Sequence, residues 1–117
     1  MKKVLIIDDD RSTLTLLQSF LGDKGLETQV ALDGIEGLEK ARQWGPDLIL
    51  LDVMMPRMDG YGFLHETKKD PALRKLPIVV LTAREMMRDV FVQAGIRDFI
   101  VKPYDPEELF RIISRYL

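Results

Sequence analysis

Short apolar runs alternate with segments of helical period from one end of this chain to the other, and no other feature restricts its fold as tightly. The runs fall at residues 4–7, 29–31, 48–51, 78–81 and 99–101. Four of them are almost uninterrupted, the pattern of parallel strands covered on both faces, while 29–31 is the weakest. Helices with readable ends lie between them. Leu14, Leu17 and Leu21 share one helical face, and Gly25 follows as a stop signal. Asp33 and Glu36 have capping-box spacing ahead of Ile35, Leu38 and Ala41. Met86, Met87, Val90, Phe91 and Ala94 form a further face closed by Gly95. Asp105-Pro106-Glu107-Glu108 combines a cap acid with proline at the first helical position, and Leu109, Ile112, Ile113 and Tyr116 continue the stripe. The segment 61–69, between Asp59-Gly60 and Asp70-Pro71, is the least marked helix.

Five strand–helix units in strict alternation predict a parallel sheet with helices on both sides. A closed barrel of such units would need eight of them and roughly twice the 117 residues available. The expected fold is therefore α/β: an open, doubly wound, five-stranded parallel sheet, (βα)5, flavodoxin-like, with residues 1–117 forming a single domain.

Composition removes whole classes of function. There is no cysteine and a single histidine, His65, so disulfide scaffolds, thiol nucleophiles and Cys- or His-clustered metal centres are excluded. Seventeen Lys and Arg against nineteen Asp and Glu provide no global attraction to a polyanion, so direct nucleic-acid or membrane-surface binding by charge is not expected. The apolar run after Met1-Lys2-Lys3 is too short for a signal peptide or a membrane span, which predicts a cytoplasmic protein. His65 reads as a solvent-facing residue and Trp44 as a shield over the end of the second helix.

The polar residues that end the apolar runs carry the chemistry. The first run ends in Asp8-Asp9-Asp10, the third in Asp52, the fourth in Thr82 and the fifth in Lys102. Strands of a parallel sheet point the same way, so these side chains collect at one edge, outside the carboxyl ends, where such sheets bind ligands. Asp10 reads as the cap of the first helix. Crowded carboxylates repel unless a cation intervenes, and an all-oxygen set suits Mg²⁺. Acids, a hydroxyl and an ammonium in one cleft point to phosphoryl transfer, with a carboxylate as the economical acceptor.

On these residues the sequence resembles a response-regulator receiver domain of two-component signalling, of the single-domain chemotaxis-like type. Asp8-Asp9, Asp52 within Leu51-Asp52-Val53-Met54-Met55-Pro56, Asp59-Gly60, Thr82-Ala83 and Lys102-Pro103 carry the likeness across nearly the whole chain. The resemblance implies that Asp52 accepts phosphate from a phosphohistidine on a sensor histidine kinase or phosphotransfer protein. It implies that Asp8, Asp9, Asp52 and the backbone carbonyl of Met54 hold Mg²⁺. It also implies that Lys102 and Thr82 engage the phosphoryl oxygens, that Lys102–Pro103 is a cis peptide and that Phe99 is the switch aromatic. Met54 and Arg84 would flank the path of hydrolytic water and set the phosphate lifetime. The stretch from Thr82 to Lys102 is shorter than in many members by roughly half a helical turn, which leaves the length of the intervening helix open.

Two readings from other classes compete. Asp8-Asp9-Asp10-Arg11-Ser12 looks like the D-x-D start of haloacid-dehalogenase-type phosphatases with Asp8 as nucleophile, but Asp52 then has no role. A receiver-like module that binds partners without taking phosphate is the other. Since no output segment follows Leu117 in this sequence, output is expected through a downstream protein target, with a dimer on activation as one route.

Overall fold

The computed structural model describes residues 1–52, 60–82, 95–96 and 98–117. The expected helix around Met86 and Met87, the positions of Met54 and Arg84, and Asp59 lie outside the described residues.

The described elements run β1 (Lys3–Ile7), α1 (Arg11–Asp23), β2 (Glu27–Ala31), α2 (Gly34–Trp44), β3 (Leu48–Asp52), α3 (Gly60–Lys69), β4 (Ile78–Thr82), β5 (Asp98–Val101) and α4 (Pro106–Ser114). All five strands are parallel, in the order β2-β1-β3-β4-β5. The chain thus leaves β1 to one side for β2 and returns to its other side for β3. That reversal opens a crevice between the carboxyl ends of β1 and β3.

Strand alternation sends successive side chains to opposite faces, and each face has its own core. Leu5, Ile7, Ile49, Leu51 and Val80 pack with Leu38 and Ala41 of α2 and Phe63 and Leu64 of α3. Val4, Ile6, Leu48, Leu50, Val79, Leu81 and Ile100 pack with Leu14, Leu17 and Leu21 of α1 and Leu109 and Ile113 of α4. Every residue of the central strand β3 is buried, which is why its sequence reads as an unbroken apolar run. The edge strand β2 is only half covered and carries the polar Glu27, Thr28 and Gln29, so its pattern is faint.

The helix ends match their capping residues. The Asp10 carboxylate accepts from Ser12 N at 2.9 Å, and that of Asp105 from Glu107 N at 3.0 Å. Asp33 accepts from Glu36 N at 2.9 Å, while Glu36 reaches one residue further back than a standard box and accepts from Leu32 N at 3.1 Å. Past α1, Gly25 adopts φ of 85°, and Leu26 N returns to the Leu21 carbonyl at 3.1 Å, closing the helix. Ile35, in the first turn of α2, is exposed. Gly37 faces β1, where a Cβ would lie 2.5 Å from Ile7 Cδ1. The missing side chain lets α2 lie directly on β1. His65 is exposed, and Trp44 is half-buried against the α2–α3 core with the Lys3 ammonium 5.4 Å from its ring centre.

Candidate functional site at the carboxyl edge

Register places the acidic residues side by side. Ile7 is paired with Leu51, so Asp8 and Asp52, each one residue on, face one another across the β1–β3 crevice. Asp52 and Thr82 are themselves the last residues of their strands rather than the first residues beyond them, with Asp52 opposite Leu81 and Thr82 opposite Val101. The ladder continues one residue past the apolar run in each case, because backbone pairing does not depend on side-chain polarity.

Carboxylate oxygens of Asp8, Asp9 and Asp52 all lie within 4.8 Å of one another. Asp8 is 1% exposed and Asp52 7%, whereas Asp9 faces solvent. Two bonds fix Asp8: its N–H donates to the Ala31 carbonyl at 3.1 Å, and its Oδ1 accepts from Asp10 N at 3.0 Å. Its Oδ2 is buried and has no hydrogen-bond partner. A buried carboxylate oxygen with no hydrogen bond, set beside two further carboxylates, is costly even with an ammonium nearby unless a metal cation joins it. With only oxygen donors present, this set fits Mg²⁺.

Lys102 supplies the opposing charge. It follows β5, two strands from β3, a lateral separation of about 10 Å. Its four-carbon stem crosses most of that gap and sets Nζ 3.7 Å from Asp52 Oδ1 and 3.5 Å from Asp8 Oδ2. The Lys102–Pro103 peptide is cis. Phe99, on the other face of β5 from Ile100, is partly buried against the α2–α3 core.

The sequence alone did not single out Tyr104 as a neighbour of the acids. Burial first, and then the negative charge of Asp8, push its phenol above the ordinary value of 10.0. The only sequence signal was its place two residues beyond Lys102.

Comparison with known proteins agrees with this geometry. The family model described as the response regulator receiver domain matches residues 4–114. The probable transcriptional regulator ycf29 of Pyropia yezoensis is 36% identical over 98% of this chain, which covers 53% of that protein. The chain spans about half the length of the first such curated relatives. Among solved structures, the chemotaxis protein CheY4 of Vibrio cholerae superposes with a TM-score of 0.92 at 34% identity, covering 100% of this chain and 99% of that one. The receiver domain of the sensor histidine kinase PA1611 from Pseudomonas aeruginosa, solved with a magnesium ion coordinated in its active site cleft, gives a TM-score of 0.89 at 31% identity, covering 98% and 96%.

Proposed function

The chain belongs to the response regulator receiver family, and from that premise we propose that Asp52 is its phosphoryl acceptor. The observation that supports this most directly is the convergence of Asp8, Asp9 and Asp52, with the Lys102 ammonium paired to Asp8 and Asp52. A carboxylate oxygen of Asp52 attacks the phosphorus of a phosphohistidine on a sensor histidine kinase or phosphotransfer protein. The P–N bond breaks, a P–O bond forms, and the imidazole leaves on the donor. Asp8, Asp9 and Asp52, with the backbone carbonyl of Met54, would hold Mg²⁺, which supplies neutralisation of the phosphoryl oxygens.

Lys102, already between Asp8 and Asp52, pairs with one phosphoryl oxygen, and the Thr82 hydroxyl bonds another. Phosphorylation adds ~1.5–2 negative charges and strong acceptors at one point of the crevice. Thr82 closing on them leaves room for Phe99 to move inward, and the altered surface engages a downstream protein, or a second copy of the chain as a dimer. The chain acts as a signalling switch rather than on a free substrate, with no direct contact to nucleic acid in this reading. Among the described residues no helix is long and apolar enough to cross a membrane.

Treatment with acetyl phosphate and Mg²⁺ tests the acceptor. The native chain gains one phosphoryl group by intact mass, and Asp52→Asn gains none. Label on Asp8, or turnover of a phosphate ester, would replace this reading with phosphatase chemistry. Apolar Met54 is proposed to hinder the hydrolytic water, with Arg84 at the same approach. Met54→Asn then shortens the phosphate lifetime, and a slower or unchanged decay refutes that role.

A further inference from the structure

The opposite, amino edge of the sheet holds a cavity of about 360 Å³ between the end of α3, the turn leading into β4 and the residues ahead of β5. Leu64, Leu76, Ile78 and Ile96 contribute apolar surface to its lining, and Lys68, Arg74 and Lys75 bring three cationic side chains to it. The chain as a whole carries a net charge of -2, so this concentration of positive charge is local.

Among the described residues, the neighbouring carboxylates each have another partner. Glu66 pairs with Lys69 at 3.7 Å. Asp70 takes Arg42 at 2.8 Å and the Ala72 N–H at 2.9 Å, and these contacts hold its acid below the ordinary 3.8. Asp98 accepts from the Tyr116 hydroxyl and pairs with Arg115 at 3.5 Å. Among the described residues, Lys68, Arg74 and Lys75 have no ion-pair partner. The dipole of α3 accounts for a cation at Lys68, in its last turn, but not for Arg74 and Lys75 beyond it. Walls of one sign around a concavity focus field and favour a counter-ion.

The volume lies near the lower end of the roughly 300–1,000 Å³ of small-molecule sites, enough for one compact ligand with both an anionic and an apolar part. We propose that this cavity binds a nucleoside phosphate of mononucleotide size, its phosphate against Lys68, Arg74 and Lys75 and its base on Leu64, Leu76, Ile78 and Ile96. The proposal is independent of phosphorylation at the carboxyl edge.

Titration of the isotopically labelled chain with AMP, GMP, CMP and UMP tests it, with EDTA present so that no metal carries nucleotide to the acidic crevice. At least one nucleotide is expected to saturate, with amide shifts concentrated at Lys68, residues 74–76, Ile78 and Ile96. The matching nucleoside and inorganic phosphate each bind at least about tenfold more weakly, and so does the nucleotide to a combined Lys68→Gln, Arg74→Gln, Lys75→Gln variant. These exposed substitutions leave the thermal midpoint unchanged. Absence of saturation by all four, shifts confined to Asp8 and Asp52, equal binding of nucleoside or phosphate, or full affinity in the variant would each overturn the proposal.

Discussion

The two edges of the sheet treat charge in opposite ways. At the amino edge, acids serve as local ties. Asp47 accepts from Lys3 N at 2.8 Å while its own N–H donates to the Lys3 carbonyl at 2.8 Å, joining the start of β1 to the approach to β3. Asp70 fastens the turn after α3 to Arg42 of α2, and Asp98 fastens β5 to the chain end through Tyr116 and Arg115. At the carboxyl edge, three carboxylates crowd together, the Lys102 ammonium pairs with Asp8 and Asp52, and one buried oxygen of Asp8 has no hydrogen bond. An acid that stabilises the fold is matched where it stands. Asp8, whose Oδ2 has no hydrogen bond, is held against two neighbouring carboxylates, and the fold carries that repulsion until a ligand relieves it.

Neutralising single acids at the two edges tests this contrast, and the largest effect is on metal affinity. Asp8→Asn or Asp9→Asn should weaken Mg²⁺ binding, followed by titration calorimetry, by at least about tenfold, whereas Asp47→Ala should leave it unchanged. Without metal, Asp8→Asn should raise stability. Two repulsions against one attraction at comparable range leave one unit of net repulsion, ~3 kcal/mol at an effective dielectric of ~20. Screening at exposed Asp9 reduces this to a gain of ~1–3 kcal/mol, read as a higher urea midpoint. A lower midpoint would show that Asp8 is matched after all. Asp47→Ala should move the midpoint the other way by ~1–2 kcal/mol, because the Lys3 N–H loses its acceptor.

The smallest effect is pH-dependent. Arg42, then the Ala72 N–H, depress the Asp70 acid below 3.8 in the folded chain, so its contribution is present above that value and is lost as pH falls through the folded one. Asp70→Asn should therefore unfold slightly earlier than the native chain at pH 7, with the difference vanishing in strong acid. A difference that persists there would mean that the tie is not ionic.

The local elements were legible because their causes are local. Asp10, Asp33 and Asp105 announce helix starts by bonding amides two or three residues away, and the apolar runs at β1, β3 and β4 announce strands buried on both faces. β2 was faint because an edge strand keeps polar residues. The close approach of Gly37 to Ile7 was not legible, because apolar periodicity says nothing about where a helix needs the absence of a side chain.

By itself the sequence determined the alternation, the capped ends and the polar residues closing four of the five strands, since all are set by neighbours in the chain. The tertiary structure alone decided which of those residues meet. Strand order brings Asp8 beside Asp52 and lets Lys102 reach both, and the packing of the segment before β5 against the end of α3 sets Ile96 beside Lys68, Arg74 and Lys75 around one cavity at the far edge. These are through-space relations between segments dozens of residues apart, and only the packing of helices on both faces of one sheet fixes their distances.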